Sequence, residues 1–234
     1  GRAPGASAVI FNTPGNPTGG IHARERLEQA IAICRREQIT WISDEIYEDF
    51  VYDGEHVSPL HFDEHGLKLG GLSKSFAMMG WRLGWIIGPE AAIQALKPLH
   101  QHLVTCAPWA AQKAAVAALA SHDELTTSMR DLFRTRRDDF VDALGEIPGL
   151  DVTANAGAFY LFVDVSEAYG EVSHELEIAE ALLNEVDIIA IPGSGFGSGF
   201  DGHLRLAYTQ QSSTLMEAAS RLAEFFASHR TEQG

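Results

Sequence analysis

Cysteine is scarce. Only Cys34 and Cys106 occur in 234 residues, too few for a disulfide framework, which points to a reducing compartment. Positive charge is also short: 17 Lys plus Arg stand against 32 Asp plus Glu, for a formal net charge of −15. Such a field repels phosphate backbones and argues against nucleic acid or an anionic membrane as partner, so any bound anion must be held by local groups. Long hydrophobic runs are missing too. None approaches the roughly 20 residues that span a bilayer, and the opening GRAPGASAVI lacks the apolar core of a secretory signal. Together these absences predict a soluble, cytoplasmic chain. What is present is globular composition: hydrophobic residues at 45% and charged residues at 21% exclude a disordered or low-complexity chain. The length suffices for one large domain or two modest ones with a core that needs no staple.

Apolar periodicity alternates between strand-like runs and longer helical stretches, the pattern of βα units on a largely parallel sheet. Residues 8–12 read as a strand, residues 23–37 as a helix with Leu27, Ala30, Ile31 and Cys34 on one face, and residues 40–43, 67–72 and 81–88 as further strands. The run Ala8-Val9-Ile10-Phe11 reads as a buried strand with nothing before it to pair against, so a preceding portion is expected. Residues 89–145 are helical, and their last stretch is long enough to bridge two domains. Strands at 158–163, 188–191 and 203–207, with helices at 175–186 and 213–228, then form a smaller α/β unit. The expected division is residues 1–129 and 130–234.

Polar clusters follow the predicted strands, where open α/β sheets place ligands. Two prolines and two glycines in Thr13-Pro14-Gly15-Asn16-Pro17-Thr18-Gly19 fix a backbone path that aims Asn16. Asp44 and Tyr47 follow the second strand. Lys74 lies in Gly70-Gly71-Leu72-Ser73-Lys74-Ser75, Arg82 in Gly80-Trp81-Arg82-Leu83-Gly84, and Arg205 in an otherwise apolar strand. Singly, each has a bland explanation: a turn, an N-cap, a solvated lysine, an edge-strand charge. Their order and spacing favour a shared site.

In that order, Asn16-Pro17-Thr18-Gly19, Ser43-Asp44-Glu45-Ile46-Tyr47, Ser73-Lys74 with Gly80-Trp81-Arg82-Leu83-Gly84, Gly157-Ala158-Phe159-Tyr160 and Leu204-Arg205-Leu206 resemble the motifs of the class I/II aminotransferases, pyridoxal-phosphate enzymes of fold type I. The resemblance implies an α/β fold: the C-terminal part of a three-layer, mostly parallel large domain, plus a smaller α/β domain. It implies a pyridoxal 5'-phosphate cofactor and transfer of an amino group from an amino acid to a 2-oxo acid. Lys74 would form the Schiff base and then serve as the base that moves a proton at Cα. Asp44 would keep the pyridine nitrogen protonated. Tyr47 and Asn16 would donate to the ring's phenolic oxygen. Arg82, with Ser73 or Ser75 nearby, would hold the phosphate, and Arg205 would grip the substrate α-carboxylate by a bidentate fork, next to Asn16. A homodimer is expected on the same ground. Gly71 departs from the Ser or Thr that many relatives carry three residues before the lysine. Relatives also carry a preceding segment with a phosphate-binding helix and a ring-stacking aromatic, and turnover by this chain alone is not expected without it.

The same cofactor scaffold also runs lyase and decarboxylase chemistry, and an aminotransferase-like sensor domain of a transcriptional regulator would keep the same residues. No metal site is expected. His61-Phe62-Asp63-Glu64-His65 matches a zinc-peptidase pattern that needs a helix, but Pro59 and Gly66 deny it one. His100 and His102 read as surface residues. Glycines 193, 195, 197 and 199 read as a closing, substrate-adjacent loop before Arg205 rather than a nucleotide loop, since they permit close backbone approach and positive φ, and Phe159, Phe196 and Phe200 as packing residues.

Overall fold

The computed structural model describes residues 5–169 and 175–231. By its contacts the chain divides into two compact units, one running up to Gly15 and resuming over Gly20–Arg130, the other combining Asn16–Gly19 with the chain from Asp131 onward.

The first unit is built on a four-stranded sheet, β1 (Ala8–Asn12), β2 (Thr40–Asp44), β3 (Leu67–Gly71) and β4 (Gly84–Ile87), in that spatial order. β1 and β3 both run parallel to β2, while β4 returns antiparallel to β3. Helix α1 (Arg24–Arg36) buries Leu27, Ile31 and Cys34, residues spaced three and four apart on one face. Ile31 and Cys34 pack with Trp41 of β2, and Val9, Phe11 and Ile39 close over them. Each fully buried aliphatic side chain there contributes about 1.5–3 kcal/mol. β1 stands at the end of the strand order of this sheet.

The apolar run from Trp81 is a strand only from Gly84, because Met79–Trp81 forms a 3-10 turn and Arg82 adopts left-handed backbone at φ 54°. The long helical stretch is three helices, α2 (Glu90–Val104), α3 (Trp109–Ala120) and α4 (His122–Gly145). No helix among the described residues is long and apolar enough to cross a membrane.

The second unit carries a wholly antiparallel sheet of β5 (Tyr160–Asp164), β6 (Ile191–Pro192) and β7 (His203–Ala207), with β7 in the centre. Helix α5 (Glu175–Val186) packs on β6, β7 and α6 (Ser212–Thr231). β5 begins two residues later than the periodicity suggests, since Ala158 sits at φ 60° and cannot extend a ladder. The run 188–191 pairs only from Ile191, and Pro192 has no amide hydrogen to prolong it. A buried polar network ties the unit together. Tyr208 hydroxyl donates to Asn155 Oδ1 at 3.1 Å and to Ala158 carbonyl at 3.2 Å, and Arg137 of α4 donates to Asn155 carbonyl at 2.6 Å.

Candidate active site

In the first unit the candidate residues sit where β2 and β3 end. β2 buries Trp41 and Ser43 on one face, and Asp44 closes the strand, its carbonyl accepting from Thr13 N–H at 3.1 Å and its Oδ1 from Ile46 N–H at 3.2 Å. That second bond is a local turn bond that fixes the carboxylate's direction. Tyr47 follows three residues later and is buried. β3 ends at Gly71, which offers no side-chain hydroxyl at the strand end. Leu72, fully buried, anchors the turn beyond it by accepting from Phe76 and Met78 N–H groups, and Lys74 carbonyl accepts from Ala77 N–H at 3.1 Å. This tight turn presents Lys74, whose Nζ lies 5.8 Å from the centroid of the Tyr47 ring. Ser73 is half-buried and Ser75 buried on the same turn. Arg82 is exposed and donates Nη1 to Met79 carbonyl at 2.9 Å.

Beneath these residues lies a charged cluster that sequence reasoning missed. Glu45, fully buried, meets His56 Nε2 at 2.8 Å, Ser58 Oγ at 2.7 Å and Lys68 Nζ at 3.1 Å, and Lys68 also pairs with Glu48. Burial alone would raise the Glu45 carboxyl; the bonds from His56 and Ser58 and the charge of Lys68 outweigh it and bring it down to about 2. Burial likewise disfavours charge on Lys68, but its pairing with Glu48 and Glu45 raises its ammonium above the ordinary value. The three acidic and imidazole groups Glu45, Glu48 and His56 stand close enough to share a cation, and the Lys68 ammonium already bonds both carboxylates. The only sequence signal was the Glu beside Asp44, since its partners lie 11 to 23 positions away.

In the second unit Asn16 and Arg205 come together: Arg205 Nη1 donates to Asn16 Oδ1 at 2.7 Å. Both prolines of the Asn16 loop follow cis peptide bonds. The loop is seated by Gly19, whose carbonyl accepts from Gly157 N–H at 2.8 Å. At φ 65°, a Cβ there would come within 2.4 Å of Asn155 Nδ2 and Gly157 O, so only glycine fits. Arg205 stands on central strand β7 between buried Leu204 and Leu206. Its guanidinium carbon lies 4.4 Å from the Tyr160 ring centroid and 5.0 Å from that of Phe196.

His61 and His65 share no helix. His61 ends the 3-10 turn Pro59–His61 with Nδ1 3.1 Å from Ser58 carbonyl, and His65 Nδ1 is 2.7 Å from Asp63 Oδ1.

A family profile described as aminotransferase class I and II matches residues 2–222. Among curated relatives, an aspartate aminotransferase of Bacillus sp. strain YM-2 is 37% identical over 225 residues, covering 93% of this chain and 57% of its own length. A probable aspartate/prephenate aminotransferase of Aquifex aeolicus is 35% identical over 222 residues, covering 92% of this chain and 56% of its own. Among solved structures, an aromatic aminotransferase from Pyrococcus horikoshii superposes with a TM-score of 0.89 at 31% identity, over 95% of this chain and 60% of that one. The chain thus spans somewhat more than half the length of the relatives it matches.

Proposed function

The chain belongs to the class I and II aminotransferases, and from that premise we propose that it is part of an enzyme that moves an amino group from an amino acid to a 2-oxo acid. The family is pyridoxal-phosphate-dependent. The reading is supported by the position of Asp44 and Tyr47 after β2 and of Lys74 and Arg82 between β3 and β4 of one unit, with Lys74 Nζ 5.8 Å from the Tyr47 ring centroid. That donor set is complementary to an aldehyde, a pyridinium, a phenolate and a phosphate, and so fits the cofactor. When bound, pyridoxal phosphate supplies an electron sink that weakens the bonds at the amino acid's Cα.

Asp44, acceptor-only when ionised, would hold a proton on the pyridine nitrogen. Tyr47 and Asn16 would donate to the ring oxygen, and Arg82 with Ser73 would hold the phosphate. Lys74 would hold the cofactor's aldehyde carbon and serve as the base for the Cα proton, its Nζ standing 5.8 Å from the buried Tyr47 ring. Arg205, braced by Asn16, grips the α-carboxylate. Residues 1–129 are assigned to the cofactor-binding large domain and 130–234 to the small domain. A cytoplasmic homodimer is the setting we propose, on the low cysteine content and the family. The names of the relatives make L-aspartate the first donor to test.

The test is spectroscopic. The full-length protein that carries this chain, incubated with pyridoxal phosphate, should develop visible absorption that Lys74→Ala abolishes, and addition of L-aspartate should convert bound cofactor to pyridoxamine phosphate. Absorption that persists in Lys74→Ala refutes the assignment; conversion of L-aspartate to alanine and carbon dioxide without pyridoxamine phosphate would indicate a decarboxylase instead.

A further inference from the structure

The glycine-rich loop between β6 and β7 is closed at both ends by one side chain. Glu175, buried at the start of α5, accepts from Ser194 N–H through Oε1 at 3.1 Å and from Gly202 N–H through Oε2 at 3.2 Å. A bond from the Ser194 side chain, working against burial and joined by the backbone bonds from Gly202 and Ser194, holds this carboxyl at about 2, so it is ionised throughout the neutral range and grips both amides at charge-assisted strength. The loop's first residue is equally constrained: a Cβ on Gly193 would lie 2.0 Å from Phe200 carbonyl oxygen.

Within the clamped loop, Phe196 and Phe200 both rest edge-on against Phe162, at ring separations of 6.3 and 5.3 Å. Phe162 is the register partner of Arg205 across the β5–β7 ladder. Phe196 is therefore braced by Phe162 and brought to the guanidinium that Tyr160, itself fixed in β5, also contacts. A guanidinium is planar and weakly hydrated, and it gains from an aromatic face on each side. An unbraced Arg side chain loses rotamer entropy on binding, whereas one held in advance loses less.

We infer that Phe196 is a positioning residue: the loop clamped by Glu175 sets its ring against Arg205, so that the guanidinium is held between Tyr160 and Phe196 in the orientation that receives a carboxylate. This rests on the proposed carboxylate-gripping role of Arg205 and adds the device that orients it.

The test uses the full chain labelled with nitrogen-15, following the Arg205 Nε–Hε resonance, identified by its loss in Arg205→Lys, with succinate as carboxylate probe. In the unsubstituted chain ring currents should shift that resonance upfield. Phe196→Leu, which keeps bulk without a ring, should return it toward the shift of a solvated arginine and weaken succinate binding about five-fold. Phe196→Tyr should restore both, and Glu175→Gln should behave like Phe196→Leu, with thermal melts of the two Phe196 variants alike. The inference is overturned if Phe196→Leu leaves resonance and affinity unchanged, or if Phe196→Tyr does no better than Phe196→Leu. If Arg205→Lys binds succinate as tightly as the unsubstituted chain, the gripping role itself fails, and the inference with it.

Discussion

Replacing Glu45 by Gln should destabilise the first unit in a pH-dependent way, and the size follows from its surroundings. The carboxylate is fully buried with three polar partners at 2.7 to 3.1 Å. Its fall from an ordinary 4.5 to about 2 corresponds to roughly 3 kcal/mol, at about 1.4 kcal/mol per tenfold change in proton affinity. Because the folded value is depressed, this stabilisation is fully present above the unfolded value and is lost as pH falls toward 2. Roughly 2 kcal/mol of it should be gone by pH 3. Removing one partner of a buried pair costs about 3–5 kcal/mol; Lys68 keeps Glu48, which brings the expectation for Glu45→Gln to about 2–3 kcal/mol at pH 7. All four tryptophans, Trp41, Trp81, Trp85 and Trp109, lie in the first unit, so urea unfolding followed by tryptophan fluorescence reads this unit alone. Glu175, whose carboxyl is also held at about 2, belongs to the other unit and stays out of the signal. The gap between the parent chain and Glu45→Gln should be wide at pH 7 and narrow at pH 3. An equal gap at both pH values would refute the electrostatic account of this cluster.

Other outcomes follow from single contacts. Tyr208→Phe removes a hydroxyl bonded to Asn155 and Ala158 and should cost the second unit about 1–2 kcal/mol in denaturant unfolding followed by circular dichroism; no change would mean that buried water replaces the hydroxyl. Gly19→Ala forces a Cβ into Asn155 and Gly157 and should destabilise that unit by about 1–3 kcal/mol, with amide resonances of residues 155–157 moving most. Arg205→Lys keeps the charge but loses the fork, so succinate affinity should drop about tenfold or more, a loss visible by titration calorimetry.

The elements with strong period were legible in the sequence: the Leu27, Ile31 and Cys34 face of α1 and the alternation that leaves Arg205 between Leu204 and Leu206. What escaped depends on long-range partners. Phe196 reads as packing because an aromatic in a glycine loop carries no mark of the cation it will meet. Glu45 and Glu175 look like ordinary surface carboxylates until Ser58, Lys68, Ser194 and Gly202 are brought to them by the fold. The strand ends slipped where left-handed residues, Arg82 and Ala158, interrupt extended backbone that hydropathy alone suggests is continuous.

The most direct measurement is reductive trapping. The full-length protein that carries this chain is incubated with pyridoxal phosphate, treated with borohydride, digested and mapped by mass spectrometry. The account predicts a single stable pyridoxyl adduct on the peptide containing Lys74; an adduct on another lysine, or none, contradicts it.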